Sequence, residues 1–521
     1  MKKALINTHF PHKKETIMVI NDGIITSFET SLPDDFNGEV IDTNGVTLYP
    51  GFIDAHMHLA WYGQMLHSLT LFECDSHGLI LTKIKDYLQE HPNLEILQAR
   101  GYNDGSFKNE PRLTRHNLDL VVSTIPTVVT RVCNHVVVVN SMMLEKIVNH
   151  FGQDLDDTYF ERDDQGAFTG VIKELGIGYV NALLPRLTTK DYHSFLKTAA
   201  QKCLSYGITT VGTNDLWMHN PEYLMVKEAY EHFTAERQLR ISHQIKMDEL
   251  TDFEVLQLNP IKENSFQFSG PCKMFADGSL GGKTALMSQP YLNTNTYGEA
   301  TIDQEHLEAM VKKANEMGMQ VVVHAIGDQA IDNVAKAYAP LTETGNPLRH
   351  TIIHIQITRP DQIASLAKLN IMGMVQPVFL RSDAPLLEER LPQTIIDHSY
   401  AWKSMIEHGM KIAFSSDAPI EDPNVFVGMH SAMTRIDAYG IYPKGHQPSQ
   451  CLDLDTTLDH FTKLGAYLLH QEHQLGQLEV GYKADCFASH GPLDSLSDEE
   501  LLNHHVLWTM VDGKIVYQKE V

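Results

Sequence analysis

The stretch that decides the fold is Tyr49-Pro50-Gly51-Phe52-Ile53-Asp54-Ala55-His56-Met57-His58. Its first three residues predict a turn, and the apolar residues after the turn predict a short strand. Because side chains alternate along a strand, His56 and His58 would point to the same side and could bind one metal ion. The chain has 28 histidines, and about one or two such pairs are expected by chance. The pair therefore needs support from the rest of the chain.

Support comes from a repeated pattern that begins near residue 200, where helical stretches alternate with short apolar strands that end at polar residues. The strands that we predict are Phe52–Met57, Ile208–Val211, Arg240–Ile245, Cys272–Phe275, Gln320–Val323, Thr351–Ile353, Gly373–Val375 and Ile412–Phe414. A closed (β/α)8 barrel requires eight parallel strands. We therefore predict an α/β fold in which a TIM barrel occupies residues 49–469.

The two ends of the chain differ from this pattern. Residues 1–48 and 470–521 contain short apolar runs separated by turns, among them Asp512-Gly513, which is a strong hairpin signal. Neither end has enough strands to bury a face by itself. We therefore expect both termini to form one small β-sandwich domain.

The residues from about 61 to 191 are too many for a single crossover, and they contain two further predicted strands, Leu94–Ala99 and Thr127–Val132. We predict that they form an insertion after the first barrel strand. Insertions there overhang the face on which barrel enzymes carry their chemistry. The insertion is therefore a candidate for a substrate lid.

Composition excludes several classes of protein. A hydrophobic fraction of 43% and a charged fraction of 21% are ordinary for a folded globular chain. The net charge of −25 argues against nucleic acid as a partner, because it would repel phosphates. We expect neither a signal peptide nor a membrane span, because no long apolar run follows Met1-Lys2-Lys3 or occurs elsewhere in the sequence. We expect a cytoplasmic protein with reduced thiols at its six cysteines: Cys74, Cys133, Cys203, Cys272, Cys451 and Cys486.

Four later strands bring residues with metal-binding chemistry to their ends. These residues are Lys273, His324, His354 and Asp417. Together with the first histidine pair they place six candidate ligands at one mouth of the barrel. Imidazole and carboxylate ligands without thiolates suit a divalent ion such as Zn²⁺ in an open site. Such an ion lowers the pKa of bound water to about 7, so the set predicts hydrolysis by a metal-activated hydroxide.

The order of these motifs resembles the amidohydrolase superfamily, and in particular the amidohydrolase family 3 branch that includes N-substituted formamide deformylases. The segments that carry the resemblance span nearly the whole chain: residues 50–58, 273–280, 324–328, Gln376-Pro377 and Ser416-Asp417-Ala418-Pro419. The resemblance implies an enzyme, an amidohydrolase that cleaves a non-peptide C–N bond of the amide type.

The resemblance also implies roles for the candidate ligands. His56 and His58 would bind the more buried ion, and His324 and His354 a second one. Asp417 would bind metal and act as general base and then general acid. Lys273 would be a carboxylated lysine that bridges two ions, unless it simply pairs with a carboxylate such as that of Asp277.

Further candidates each have two alternative roles or none assigned. Glu174 is a rival bridging carboxylate, or else an exposed helical charge. His135 and Asn140 match the family pattern and would contact substrate or serve packing. Tyr102, Asn103 and Gln376 are further candidates for the substrate side, and Asp215 has no assigned task.

Two alternatives to the amide hydrolase stay open. One is a mononuclear aminohydrolase, a deaminase of the same superfamily, and the other is a non-catalytic scaffold that has kept the barrel. The sequence leaves open the substrate, the native metal and whether one or two ions are bound. We expect a small-molecule substrate, and a homodimer is compatible with a barrel of this type.

Overall fold

The computed structural model describes residues 1–71, 74–103, 107, 110–131, 135–342 and 345–519. The chain divides into two compact units. The first contains Met1–Trp61 and Leu196–Val521, and the second is Tyr62–Phe195. The sequence analysis predicted an insertion at about residues 61–191, which can be compared with the bounds of the second unit.

Strands and helices alternate along most of the chain. The strands are β1 (Lys2–Ile6), β2 (Ile17–Asn21), β3 (Ile24–Glu29), β4 (Glu39–Asp42), β5 (Thr47–Pro50), β6 (Phe52–Met57), β7 (Leu69–Thr70), β8 (Leu97–Tyr102), β9 (Thr127–Arg131), β10 (Val136–Val139), β11 (Phe160–Arg162), β12 (Phe168–Lys173), β13 (Ile208–Trp217), β14 (Arg240–Lys246), β15 (Gln267–Phe275), β16 (Val321–Ala325), β17 (Thr351–His354), β18 (Met372–Val375), β19 (Ile412–Phe414), β20 (Cys486–Ser489), β21 (Trp508–Val511) and β22 (Lys514–Gln518).

The α-helices are α1 (Leu59–Leu66), α2 (His77–Glu90), α3 (Arg115–Asp119), α4 (Ser141–Phe151), α5 (Ile177–Asn181), α6 (Thr189–Ser205), α7 (Tyr223–Ala235), α8 (Asp252–Leu258), α9 (Gln304–Glu316), α10 (Asp328–Thr342), α11 (Pro360–Lys368), α12 (Pro377–Arg390), α13 (Gln393–Ile396), α14 (Trp402–Glu407), α15 (Val425–Thr434), α16 (Leu454–Phe461), α17 (Lys463–Leu468) and α18 (Asp498–Leu502). None of the helices among the described residues combines the length and hydropathy needed to cross a lipid bilayer.

The predicted barrel is confirmed. Its eight parallel strands lie in the order β6, β13, β14, β15, β16, β17, β18 and β19. The sheet closes beyond the last strand, because the Asp417 amide donates to the His56 carbonyl at 2.9 Å and the His58 amide donates to the Ala418 carbonyl at 2.7 Å. The same contacts bring the first and the last predicted ligands together.

Strand β6 shows why its sequence forms a barrel strand. All six of its residues are buried, as expected for a parallel strand covered on both faces. Gly51 permits the tight turn that precedes it, because a Cβ there would lie 2.2 Å from the Thr209 hydroxyl oxygen. The strand therefore begins where the sequence predicts and ends with the histidines at the barrel mouth.

Two strands exceed their predicted lengths by five residues or more. Strand β13 continues to Trp217 rather than ending at Val211, and β15 begins at Gln267 rather than at Cys272. In β13 the polar residues Thr213 and Asn214 are buried inside the fold, so they continue the strand instead of ending it. Lys273 consequently lies near the end of β15 rather than at its start.

The chain termini form two four-stranded sheets, in the orders β3-β2-β1-β4 and β22-β21-β20-β5. One apolar core joins them, and it contains Leu5, Met18, Leu48, Cys486 and Met510. Because β5 pairs with β20 in the second sheet, neither terminus completes the domain alone. The predicted composite of both ends is confirmed.

The second unit contains a six-stranded sheet in the order β11-β12-β10-β9-β8-β7. The sequence predicts two strands here, and their observed counterparts are β8 and β9. Val132, at the end of the second prediction, lies outside the described residues, as does Cys133. The other five cysteines are free thiols.

Candidate metal centre

Three buried side chains converge at the barrel mouth. The Nε2 atoms of His56 and His58 lie 3.3 and 3.4 Å from Asp417 Oδ1. One ligand atom from each residue falls within 4.8 Å of the other two. Asp417 Oδ1 is buried, and no donor among the described residues makes a well-formed hydrogen bond to it. Two imidazoles and a carboxylate in this arrangement have the donor chemistry of a divalent-metal site.

Asp54 positions this cluster through hydrogen bonds to the two residues Ser416 and His56. Its carboxylate accepts the Ser416 hydroxyl at 2.5 Å and the amides of Ser416 and His56 at 3.1 and 3.2 Å. The backbone of Asp417 is held in the left-handed region, at φ 58°. Asp54 therefore ties β6 to the segment after β19 and fixes the backbone on which Asp417 projects.

His324 and His354 form a second pair near the first. Their ring centroids are 4.4 Å apart, and that of His354 is 6.1 Å from that of His56. The backbone at His354 and Ile355 has φ values of 79° and 44°. A positive φ is unusual for a β-branched residue such as Ile355. The chain thus holds strained backbone beside His354, as is common at functional sites.

Lys273 is fully buried on β15, and its Nζ has no hydrogen-bond partner among the described residues. It lies 4.0 Å from the centroid of the Phe275 ring. Burial lowers the pKa of Lys273 to about 7. An unpaired amine in this position is costly unless something else occupies or modifies it.

The alternative pairing of Lys273 with Asp277 is not present among the described residues. Asp277 instead accepts the amides of Ile326, Gly327 and Leu286 at 3.1, 2.8 and 2.9 Å. Its Oδ1 also lies 3.3 Å from His324 Nε2. Asp277 therefore organises the loop after β16 and leaves Lys273 unpaired.

Each of the four histidines has a hydrogen-bond partner on the side away from its neighbours. His56 Nδ1 contacts Gln244 Oε1 at 2.6 Å, and His58 Nδ1 contacts the Asn214 carbonyl at 2.8 Å. His354 Nδ1 contacts Gln376 Oε1 at 2.8 Å. His324 Nε2 contacts the Gly278 carbonyl at 2.9 Å. The nitrogen left on each ring is the one available to a metal.

Gln376 was predicted to contact substrate; this stays a prediction, and the structure shows which protein groups its side chain contacts. It is buried, and its amide holds His354 and donates to the Ser415 hydroxyl at 2.8 Å. The sequence analysis missed Gln244 and Asp54. A polar Gln244 inside the predicted strand Arg240–Ile245 was the available signal, because a barrel strand seldom carries a buried amide without a partner.

The electrostatics of the cluster follow from burial and contact. Burial disfavours charge on Asp417, but its contacts with His56 and His58 outweigh burial and hold its pKa well below the usual range. Burial lowers the pKa of His56 to about 4. It also opposes charge on His58, yet the nearby Asp417 carboxylate raises that pKa. Burial lowers the pKa of His354 well below its usual value, and His324 adds to the effect.

The remaining predicted residues lie in the second unit. Asn140 is fully buried and its amide is used internally: it accepts the amides of Thr127 and Met143 and donates to the carbonyls of Val122 and Ile125. This arrangement favours packing over substrate contact for Asn140.

Tyr102 is buried in the apolar core of the same unit. His135 and Glu174 are exposed and contact each other at 3.0 Å. Substrate contact by Tyr102 or His135, and metal bridging or substrate contact by Glu174, stay predictions.

Asp215, which had no assigned task, stabilises the first turn of α1. It accepts the Ala60 amide at 2.9 Å, the Thr213 hydroxyl at 2.7 Å and the Tyr230 hydroxyl at 2.5 Å. A carboxylate at a helix N-terminus is favourable there. Its role in the structure is to fix the chain directly after His58.

Two cavities differ in their relation to the cluster. The larger, of about 960 Å³, lies between the terminal β domain and α16 and contains none of the candidate ligands. The smaller, of about 590 Å³, lies at the ends of β13, β14 and β15, where Trp217, Lys246 and Phe275 line it. The Phe275 ring is 5.2 Å from that of His324. The smaller cavity therefore has the size of a small-molecule site, and although no candidate ligand lines it, its lining residue Phe275 lies beside His324.

A parallel (β/α)8 barrel with a buried imidazole and carboxylate cluster at its strand ends defines the class of metal-dependent hydrolase barrels. The residues fit a divalent ion, because nitrogen and oxygen donors converge where Asp417 Oδ1 and Lys273 Nζ have no other partner among the described residues. The chain matches the amidohydrolase family over residues 39–517. It belongs to that family.

Similar proteins agree with this assignment. YtcJ of Bacillus subtilis strain 168, which is named as an amidohydrolase, is 30% identical over 484 residues, covering 92% of this chain and 91% of YtcJ. N-substituted formamide deformylase of Arthrobacter pascens is 22% identical, covering 93% of this chain and 90% of that enzyme. The crystal structure of an uncharacterized metal-dependent hydrolase from Pyrococcus horikoshii OT3 is 25% identical with a TM-score of 0.79, covering 97% of this chain and 100% of that one.

Proposed function

We propose that this chain is a metal-dependent hydrolase that cleaves a non-peptide C–N bond of the amide type in a small molecule. The observation that carries the proposal is the convergence of His56, His58 and Asp417 in a buried cluster. The His324 and His354 pair and the unpaired Lys273 lie around it. The formamide deformylase among the similar proteins supports the amide-type bond.

In this proposal His56, His58 and Asp417 hold one divalent ion, which we expect to be Zn²⁺, and His324 and His354 hold a second when two are bound. Such an ion supplies two kinds of chemistry: it lowers the pKa of water and polarises a carbonyl oxygen. The cluster is buried, so solvent screens its charges only weakly.

Asp417 moves the proton. Its carboxylate stays ionised in the resting site, because its contacts with the histidines hold its pKa low, and it can therefore accept a proton from the attacking water. Returning that proton to the departing nitrogen lets an amine leave in place of a poorly leaving amide anion. The hydrogen bonds between Asp54 and Ser416 hold the backbone from which Asp417 projects.

Lys273 decides between two forms of the enzyme. Its amine can react with CO₂ to form a carbamate with release of one proton, and burial favours the neutral amine that this reaction needs. A carbamate there would supply the oxygen ligands for a binuclear amide hydrolase. An unmodified Lys273 would instead favour the second candidate, a mononuclear deaminase, for which the compact three-residue cluster suffices.

The test is to quantify bound metal on the purified full-length chain and to screen hydrolysis of formamides, N-acyl compounds, lactams and small esters with zinc or manganese added. We expect one or two ions per chain and turnover of at least one amide. Lys273→Ala should lower both metal content and activity if the site is binuclear. One ion per chain with a Lys273→Ala variant of unchanged activity contradicts the binuclear form and supports the deaminase.

A chain that binds no divalent metal and turns over no member of the panel would contradict the proposed function as a whole. That result would favour the scaffold. A panel of aminopurines and aminopyrimidines tests the deaminase, because turnover of an exocyclic amine together with no turnover of the amide panel distinguishes deamination from amide cleavage.

A further inference from the structure

Two buried glutamines contact two of the histidines in the same way. Gln244 Oε1 is 2.6 Å from His56 Nδ1, and Gln376 Oε1 is 2.8 Å from His354 Nδ1. Gln244 is fully buried and Gln376 is 3% exposed. Both amides therefore depend on the protein for all of their hydrogen bonds.

The opposite side of each amide fixes its orientation. Gln244 Nε2 donates to the Ala55 carbonyl at 2.9 Å, and a carbonyl oxygen can only accept. Gln376 Nε2 donates to the Ser415 hydroxyl at 2.8 Å and to the Met374 carbonyl at 3.3 Å. Rotating either amide by half a turn would bring two oxygens together. The oxygen of each glutamine must therefore face its histidine.

We infer that Gln244 and Gln376 are positioning residues that set the tautomers of His56 and His354. An amide oxygen only accepts, so the Nδ1 that faces it must carry the proton. Each ring then presents the lone pair of its Nε2 to the interior of the site. This inference rests on the proposed metal-dependent function, and it assigns the two glutamines the outer-shell role that tunes metal ligands.

The barrel provides space for this arrangement. A Cβ at Gly212 would lie 2.3 Å from the Ala55 carbonyl oxygen and 3.1 Å from Gln244 Nε2. Only glycine at that position allows Gln244 to reach across from β14 to the backbone of β6. The contact therefore depends on residues of three neighbouring strands: Ala55 of β6, Gly212 of β13 and Gln244 of β14. A side chain that only filled the core would not require this arrangement.

The two glutamines differ in what a carboxylate would meet in their place. At position 376 a carboxylate oxygen would lie near the Met374 carbonyl, but the Ser415 hydroxyl is closer and could turn from the Val375 carbonyl to donate its proton to the carboxylate. At position 244 the Ala55 carbonyl cannot donate, so a second carboxylate oxygen would face an acceptor. We therefore expect Gln376→Glu to be tolerated and Gln244→Glu to be harmful.

The experiment measures Zn²⁺ affinity by competition with a chromophoric chelator on metal-stripped full-length protein. The variants are Gln244→Met, Gln376→Met, Gln244→Glu and Gln376→Glu, because methionine keeps the volume and removes the acceptor. Gln320→Met is the matched control: Gln320 is a buried glutamine just before β16 whose amide donates to the Arg349 carbonyl, away from the cluster. Thermal unfolding of each metal-free variant reports folding separately.

We expect both methionine variants to bind Zn²⁺ about tenfold to a hundredfold more weakly than the wild type, with Gln320→Met within threefold. Gln376→Glu should bind at least tenfold more tightly than Gln376→Met, and at least tenfold more tightly than Gln244→Glu. Affinities of both methionine variants within threefold of the wild type would overturn the inference and leave the proposed function intact.

If the methionine variants do not fold, the two glutamate variants decide: equal Zn²⁺ affinity overturns the inference, and the expected tenfold difference supports it. A wild-type chain that binds no divalent metal overturns the inference together with the proposed function. The two failures are therefore distinguishable.

Discussion

Buried charged groups are hydrogen-bonded at one end of the barrel and lack hydrogen-bond partners among the described residues at the other. At the start of β14, Arg240 is 1% exposed and donates to both carboxylate oxygens of Asp485, at 2.7 and 3.1 Å, and to the Ser265 carbonyl. At the other end, Lys273 Nζ and Asp417 Oδ1 are buried without hydrogen-bond partners among the described residues.

The difference between the two ends separates structure from function. A buried ion pair that is fully hydrogen-bonded holds the terminal β domain to the barrel, and losing either partner leaves an uncompensated charge. Buried polar groups without partners lower stability, and proteins keep them where they serve a site. Breaking the Arg240–Asp485 pair should therefore lower stability and leave activity unchanged, whereas removing the unpaired Lys273 amine should raise stability and lower activity.

The largest expected effect is that of Asp417→Asn. Because the amide cannot accept the proton of the attacking water, kcat/KM for the best amide of the screen should fall by about 10²- to 10⁴-fold. The measurements are steady-state kinetics and urea unfolding. A loss of activity below tenfold would contradict the role of Asp417.

Arg240→Met should cost about 3–5 kcal/mol in the free energy of unfolding, because Asp485 is left as a buried unpaired carboxylate. Activity per folded molecule should stay near that of the wild type. Denaturant unfolding checks the first expectation. The double variant Arg240→Met with Asp485→Leu is the control, and it should recover most of the loss.

Lys273→Met should change the free energy of unfolding in the direction opposite to Arg240→Met. Removing a buried amine without a partner should raise the free energy of unfolding of the metal-free chain by about 1–3 kcal/mol, while activity falls. The native pKa of about 7 lies below the ordinary value of 10.5. The unfolded chain therefore binds more protons between these values, and wild-type stability rises with pH across that range.

The advantage of Lys273→Met should consequently be greatest at and below about pH 7 and decrease as pH rises to about 10.5. Urea unfolding of both proteins at several pH values measures it. A variant that is less stable than the wild type at pH 7 would show that Lys273 is paired within the native metal-free protein.

The smallest expected effect is that of Asp512→Asn, next to the paired end of the barrel. Contacts with Arg237, Lys483 and Arg240 outweigh burial and lower the pKa of Asp512. A lowered pKa contributes stability that is present above the ordinary carboxyl value near 4 and is lost as pH falls. The variant should lose at most about 1 kcal/mol at pH 7. The difference from the wild type should disappear in acid.

The sequence was a good guide wherever a short periodic pattern carried the information. His56 lies in a strand whose burial is continuous and His58 directly follows it, so the first strand was placed with its observed bounds. The length of β13 was not predictable in the same way, because Thr213 and Asn214 are polar and only the closed barrel buries them. The six-stranded sheet of the second unit was largely missed, since its short strands pair with distant partners.

The candidate site also has features that the sequence predicted and features that only the tertiary structure shows. By itself the sequence determined the kinds of ligand and their order along the chain, because a residue at the end of a parallel strand must lie at the barrel mouth. Tertiary structure alone decided which of them touch, which buried groups stay unpaired, and which nitrogen each histidine presents. Those properties depend on Gln244, Gln376 and Asp54, whose partners are brought close only when the strands pair and the barrel closes.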